Sequence, residues 1–278
     1  MIKISAFADE AFVSLDEQIA FLRSLGLKWL EIRFVDGKNI SSMTESEVRA
    51  AKKKLDDAGI GISAVASPVG KYPLSEPFMP HLDLMKKTAE IADILGTSGI
   101  RIFSFYPPQD MDVDRCWDQV EARLEKLAET VSGSGTVLLH ENESSIFGHS
   151  AENCARIGKR FFRDNFALAY DPANFVWGEG ITDNVDRCWP LMKEYVRHIH
   201  LKDWKLGSKD VGSLLGDGDA QIRELVHSSL SGGYSGFMVL EPHLSSGGRF
   251  GGSTSPAQFR ETLDRIKGML DDEKVEYE

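Results

Sequence analysis

Several features that mark whole classes of protein are scarce or missing in this sequence of 278 residues. It has three cysteines, Cys116, Cys154 and Cys188, which are far apart and form no C-x-x-C pair. We interpret them as reduced thiols of an intracellular protein. A run of about 18 apolar residues is lacking, so we expect no membrane span. The opening MIKISAFADE contains no long apolar stretch, so we also expect no signal peptide and a cytoplasmic location.

Basic residues are fewer than acidic ones. The sequence has 32 basic and 43 acidic residues, which gives a net charge of −11. Such a chain repels phosphate backbones and anionic membranes overall, so we expect neither nucleic acid nor a membrane as its partner. Hydrophobic content of 42% and charged content of 27% are ordinary for a globular protein. The length suffices for one large α/β barrel or for two modest domains.

Short apolar segments alternate with longer amphipathic helices along the whole sequence. Ser14 with Glu17, and Thr44 with Glu47, have the spacing of a capping box at a helix start. Gly26 and Gly59 are typical helix ends. The predicted strands are IKISAF, KWLEIRF, IGISAVA, GIRIFSF, TVLLHE, FALAYD, YVRHIHLKD and GFMVLE.

Eight strands at intervals of about 30 residues, each followed by a helix and without a linker, predict a (β/α)₈ barrel. We expect a single domain over residues 1–278. A doubly wound sheet is the main alternative. It would require a glycine-rich loop after the first strand, where FADE stands instead.

Polar residues stand at the ends of four consecutive predicted strands. They are Glu141, Asp171, His200 and Glu241. Active sites of such barrels lie at the carboxyl ends of the strands, so these side chains are expected to converge. Each acid alone is more often a helix cap or a solvated loop residue than a metal ligand. Three carboxylates together repel one another, and with an imidazole among them they indicate a divalent metal ion.

The segments LLHEN, LAYDPAN, HIHLKD, LGDGD and MVLEP, in this order, resemble the sugar phosphate isomerase/epimerase superfamily of xylose isomerase-like barrels. The resemblance implies one metal ion bound by Glu141, Asp171, His200 and Glu241. It also implies that Glu141 and Glu241 are the catalytic acid–base residues, as in related epimerases. The oxygen-rich donor set favours Mn²⁺ first, with Mg²⁺, Co²⁺ and Zn²⁺ as further candidates.

Other polar residues near the predicted strand ends are candidates for substrate binding. We expect this role for Lys202, Asn174, Arg249 and Glu31. Pairing with an acid is the alternative for Lys202, and structural pairing is the alternative for Glu31 and the nearby Arg33. His198 lies about 7 Å deeper along its strand and is expected to be a hydrogen-bonded histidine inside the barrel. His140 is expected to face the helices. LGDGD is expected to shape its loop rather than take part in the chemistry.

Two residues depart from the pattern of the resembled ketose epimerases. Asn174 stands where many relatives carry a histidine, and Phe147 stands at the position of a second glutamate. Asparagine cannot act as an acid or base near neutral pH. Free-ketose 3-epimerase activity is therefore not the best detailed expectation.

These observations predict an isomerase or epimerase that acts on a sugar, sugar phosphate or sugar acid through an enediolate. A lyase or dehydratase of a keto-polyol, similar to inosose dehydratase, is the alternative on the same metal site. A phosphodiesterase and a non-catalytic binding protein remain as minor alternatives. The expected partner is a small carbohydrate, and the sequence is compatible with a homo-oligomer.

Overall fold

The eight strands predicted from the sequence close into a parallel barrel in the computed structural model, which describes residues 1–246 and 252–278. Each strand pairs with its neighbours in sequence, and Lys3–Ala6 pairs with Phe237–Leu240 to close the ring. The strands are β1 Lys3–Ala6, β2 Trp29–Ile32, β3 Gly61–Ala66, β4 Gly99–Ile102, β5 Val137–Glu141, β6 Phe166–Tyr170, β7 Val196–Leu201 and β8 Phe237–Leu240. The predicted (β/α)₈ fold is confirmed.

Helices follow the strands and form the outer layer of the barrel. They are α1 Leu15–Leu25, α2 Glu45–Ala58, α3 Met79–Leu95, α4 Trp117–Thr130, α5 Ala151–Phe161, α6 Pro172–Glu179, α7 Asn184–Arg187, α8 Trp189–Met192, α9 Ile222–Ser231 and α10 Pro256–Asp272. Four 3₁₀ turns, Ala8–Glu10, Ile40–Ser42, Val113–Cys116 and Phe147–His149, and a hairpin of Phe34–Val35 with Lys38–Asn39 lie in the connections. No helix within the described ranges is long and apolar enough to cross a membrane.

The two predicted capping boxes have different outcomes. Thr44 and Glu47 form the reciprocal bonds of a capping box at the start of α2. Ser14 precedes α1, but its side chain makes no capping hydrogen bond among the described residues. The backbone N–H of Leu15 donates to Oδ1 of Asp36 instead, at 2.9 Å. A carboxylate from the hairpin therefore replaces the predicted serine cap.

Alternation along the strands decides which side chains enter the barrel. The main hydrophobic core includes strand residues such as Ile4, Ile100 and Leu168 packed with the helices. A separate small cluster contains Ala64, Leu139, Ala167 and Ala169. Residues two apart share one face of a strand, so Leu139 and Ala169 lie on the same face as Glu141 and Asp171 respectively. Three of the four residues in this cluster are alanines, so mostly small side chains lie beneath the polar mouth of the barrel.

Candidate active site

The four predicted metal ligands meet at the carboxyl ends of β5 to β8. Glu141 ends β5, Asp171 follows β6, His200 lies near the end of β7 and Glu241 follows β8. One donor atom from each lies within 4.8 Å of the others, and all four residues are buried. Because neighbouring parallel strands end at the same rim, the barrel brings together residues that are up to 100 positions apart in sequence.

His200 presents one ring nitrogen to the cluster and the other to Glu31. Its Nδ1 lies 2.8 Å from Oε1 of Glu141 and 3.6 Å from Oε2 of Glu241. Its Nε2 lies 3.2 Å from Oε1 of Glu31. The other oxygen of Glu31 is 2.6 Å from Nε2 of His198. Histidines that bind metals commonly donate their second N–H to a carboxylate, which fixes the ring orientation. Glu31 has the position for that role, and both of its oxygens are engaged by the histidines.

The donor set fits a divalent cation. It consists of one imidazole nitrogen and three carboxylates, a combination suited to Mn²⁺ or Mg²⁺. Oδ2 of Asp171 is buried and receives no hydrogen bond from any residue that the structure describes. Buried oxygens are normally satisfied. A cation held by the four side chains would satisfy this oxygen and relieve the repulsion among the three carboxylates.

The pKa values in the cluster reflect competition between burial and charge. Burial raises the pKa of Asp171 to about 7, against the opposing effect of Lys202. Burial also acts to raise the pKa of Glu141, but His200 and Arg101 outweigh it and bring the value to about 2. Burial disfavours the charged form of His200, yet Glu141 and Glu31 raise its pKa well above the ordinary value. The charged form of His200 is therefore favoured beside these carboxylates.

Each glutamate of the cluster has an arginine beside it. Arg33 donates from Nη1 to Oε1 of Glu241 at 2.8 Å and from Nε to Oδ2 of Asp9 at 2.9 Å. Arg101 places Nη1 3.2 Å from Oε2 of Glu141. The pairing alternative for Arg33 is thus what the structure shows. Arg101 and Asp9 were missed in the sequence, although an arginine inside the apolar strand GIRIF is an unusual residue that could have drawn attention to β4.

Lys202 and Asn174 lie together beside Asp171. Nζ of Lys202 is 3.0 Å from Oδ2 of Asp171 and donates to Oδ1 of Asn174 at 2.8 Å. Nδ2 of Asn174 donates to the backbone oxygen of Asn142 at 2.9 Å. Asn142 in turn exchanges two hydrogen bonds with the backbone of Asp171. This network holds the lysine at the edge of the cluster and fixes the position of Asp171.

Asp203, two residues after β7 ends, holds the LGDGD loop in place. Oδ1 accepts the N–H groups of Trp204 and Ala220, and Oδ2 accepts those of Gly216 and Gly218. A Cβ on Gly218 would collide with Oδ1 of Asp203, so this position requires glycine. The prediction that LGDGD shapes the loop is confirmed, and Asp203 is the residue that it is built around.

Four further residues singled out in the sequence lie outside the metal cluster or outside the described residues. His198 is a buried, hydrogen-bonded histidine inside the barrel, as predicted. His140 faces the helix side as expected, since a Cβ on Gly148 of the Phe147–His149 turn would collide with its Cε1. Phe147 packs against Trp117 in the core. Arg249, predicted to bind substrate, lies outside the described residues.

The sequence profile of the xylose isomerase-like TIM barrel family matches residues 19–269. The chain belongs to this family. No curated protein sequence matches it. Solved structures that it resembles include a D-tagatose 3-epimerase-like protein, with a TM-score of 0.78 and 16% identity over 99% of this chain and 100% of the other.

Two further solved structures illustrate how much the similar proteins differ. One is the probable 3-DHS dehydratase of Bacillus anthracis, with a TM-score of 0.75 and 14% identity over 96% of this chain and 99% of that chain. The other is a xylose isomerase-like barrel protein of Mycobacterium smegmatis in complex with magnesium, with a TM-score of 0.75 and 15% identity over 97% of this chain and 96% of that chain. At these identities the likeness shows the fold, and the reaction must be argued from this chain's own site.

Proposed function

We propose that this protein is a divalent-metal-dependent isomerase or epimerase of a sugar, sugar phosphate or sugar acid that reacts through an enediolate. The observation that carries the proposal is the convergence of Glu141, Asp171, His200 and Glu241 within one buried cluster. Membership of the xylose isomerase-like family and the resemblance to epimerase structures support it. Mn²⁺ is the proposed ion, because a site with three carboxylates and one imidazole is rich in oxygen.

The residues proposed to bind the metal ion are Glu141 through Oε1, Asp171, His200 through Nδ1 and Glu241 through Oε2. A divalent ion bound there supplies a Lewis acid that increases the acidity of the proton next to a substrate carbonyl. Glu31 favours the tautomer of His200 that leaves Nδ1 free, because Oε1 of Glu31 accepts the hydrogen bond that Nε2–H donates. The imidazole is thereby oriented before any substrate arrives.

Glu141 and Glu241 are the proposed acid–base groups. Each turns one oxygen toward His200 and the other toward an arginine. The arginines favour the carboxylate forms, which are the forms that can accept a proton. Both residues stand at the mouth of the barrel, where a substrate must lie to reach the cluster.

Lys202 is proposed to neutralise a substrate oxygen. Its Nζ lies next to Asp171 at the edge of the cluster, and it is 7% exposed. Asn174 orients that ammonium group through Oδ1. Asn174 takes the place of a histidine found in many of the resembled epimerases, so its proposed role is hydrogen bonding alone. A substrate contact by Arg249 remains a prediction from the sequence.

Dehydration of a keto-polyol or a related keto acid is the second candidate function. It starts with the same removal of a proton next to a carbonyl, so the same residues would serve it. Two observations favour keeping it: the similarity in fold to a probable dehydratase, and the departures at Asn174 and Phe147 from the epimerase pattern.

The test uses Mn²⁺-loaded protein with a panel of ketoses, aldoses, their phosphates and sugar acids in D₂O. Deuterium at the carbon next to the carbonyl, with no loss of water, identifies an isomerase or epimerase, whereas an unsaturated product identifies a dehydratase. Glu141→Gln and Glu241→Gln should each keep the fold and reduce turnover by about 10²-fold or more at saturating Mn²⁺. A variant that still exchanges deuterium at the wild-type rate would show that another group moves the proton.

A further inference from the structure

Arg101 is a buried cation with unused hydrogen-bonding capacity. It lies in β4 and is 7% exposed. Nη2 donates to the backbone oxygen of Ser67 at 3.3 Å, and the guanidinium lies 4.7 Å from the ring centre of Phe103. Nε has no hydrogen-bond partner among the described residues. Buried N–H groups of a charged side chain are seldom left unpaired, because the lost hydration is not replaced.

Arg33 and Lys202, two other cations at the mouth, are paired more fully. Arg33 has hydrogen bonds to Asp9 and Glu241. Lys202 has Asp171 and Asn174 beside it. The one carboxylate within ion-pair distance of Arg101 in the described parts of the chain is Glu141, whose Oε2 lies 3.2 Å away without receiving a hydrogen bond. Because Glu141 is also a proposed metal ligand, it supplies only part of a counter-charge for Arg101.

The position of Arg101 relative to the cluster defines what it can reach. Glu141 turns Oε1 to His200 and Oε2 to Arg101. The guanidinium is therefore separated from the metal-facing side of the cluster by the width of one carboxylate. An α-hydroxy or α-keto acid is short enough to present its hydroxyl or carbonyl oxygen to the cluster and a carboxylate oxygen to Arg101. The planar fork of arginine suits such a carboxylate.

We propose that Arg101 is a substrate-binding residue that recognises a carboxylate, so that the substrate is a sugar acid or another hydroxy or keto acid. This inference rests on the proposed function, since it uses the same site. It narrows the substrate class from all carbohydrates to acids. The unpaired Nε and the incomplete counter-charge at a buried cation carry it.

The experiment compares glycolate with glycolamide, its neutral isostere, by calorimetric titration of the protein with and without saturating Mn²⁺. A bound metal ion by itself favours glycolate over glycolamide. For each protein we therefore divide the dissociation constant of glycolamide by that of glycolate, and we compare this preference between wild type and Arg101→Gln. We expect Arg101→Gln to weaken glycolate about 10-fold or more and to change glycolamide by less than about 3-fold. Arg101→Lys keeps the positive charge beside Glu141, so it should fold even if Arg101→Gln does not. It should lose only part of the preference for glycolate over glycolamide.

Lys71→Gln is the matched control for charge. Its Nζ lies 4.4 Å from the same Phe103 ring, and it is paired with Glu143 on a more exposed surface. We expect Lys71→Gln to leave the ratio unchanged. Equal preference in wild type and Arg101→Gln, or loss of the preference in Lys71→Gln, would overturn the inference.

The same experiment separates this inference from the proposed function. If the preference depends on Arg101 but no substrate is turned over, the binding role stands and the proposed reaction fails. If neutral sugars are turned over and the ratio is the same in wild type and Arg101→Gln, the proposed reaction stands and the binding role of Arg101 fails.

Discussion

Two buried aspartates that follow neighbouring strands allow a sharp test of the metal site. Asp171 follows β6 and Asp203 follows β7, and both are fully buried. Asp171 belongs to the proposed metal cluster, whereas Asp203 accepts hydrogen bonds from backbone N–H groups of its loop and, among the described residues, from no side chain. Substitution of each by asparagine removes one negative charge with little change in size. We expect Asp171→Asn to lose metal binding with the fold intact, and Asp203→Asn to lose stability with metal binding intact.

The structure gives the size of each effect. Oδ1 of Asp171 caps α6 by accepting from Ala173 and Asn174, and an asparagine oxygen can keep both bonds. Burial has raised the pKa of Asp171 to about 7 against the opposing effect of Lys202, so the charge itself adds little to stability. The new NH₂ group would face Nζ of Lys202, which lies 3.0 Å from Oδ2 in the wild type, so we expect a modest loss of stability without metal and an intact fold. In Asp203→Asn, an NH₂ group would face two backbone donors. Two unsatisfied N–H groups cost about 1–3 kcal/mol each, and relief from burying a charge offsets part of this, leaving a loss of about 2 kcal/mol.

Thermal unfolding with and without Mn²⁺ measures both effects. A ligand at 100 times its dissociation constant stabilises the folded state by about 2.7 kcal/mol, which raises Tm by several degrees. Wild type and Asp203→Asn should show this rise from different starting values, while Asp171→Asn should show none. An equal rise in Asp171→Asn, or the loss of the rise in Asp203→Asn, would refute the assignment of the cluster.

The same contacts predict three further effects. Mn²⁺ binding at pH 7 should release protons, because Nδ1 of His200 and the carboxyl group of Asp171, whose pKa is raised to about 7, must both be free of protons to hold the ion, and binding heats that do not vary between buffers would contradict this. Burial lowers the pKa of His140 to about 4. As the pH falls from about 6.5 to 4, the imidazole therefore takes up its proton in the unfolded chain but not in the folded one. Over that range the free energy of unfolding of the wild type, measured by urea titration, should fall by about 3 kcal/mol relative to that of His140→Leu. Thr44→Ala should cost about 1 kcal/mol through the lost capping box, whereas Ser14→Ala should change stability by clearly less; equal losses would contradict the cap geometry.

The order of elements and the four ligand positions could be predicted from the sequence because both depend on local pattern. Alternation identifies which residues of a strand share a face, and helix-length segments between strands require parallel pairing. Parallel strands end at one rim, so polar residues at the ends of four consecutive strands must come together. Glu141, Asp171, His200 and Glu241 follow from these rules without knowledge of any contact.

The partners of these residues depended on closure of the barrel, which no local pattern encodes. Arg33 meets Glu241, 208 positions away, because β1 closes the ring against β8 and places the end of β2 near the end of β8. Glu31 reaches His198 and His200 across the barrel interior. The side-chain rotamers that put Arg101 beside Glu141 and leave its Nε unpaired are settled by packing against Phe103 and Ser67. The sequence by itself therefore determined the four ligand positions at the mouth. Only the tertiary structure decided which charges are paired there, since the distance between two side chains on different strands is set by the curvature and register of the whole barrel.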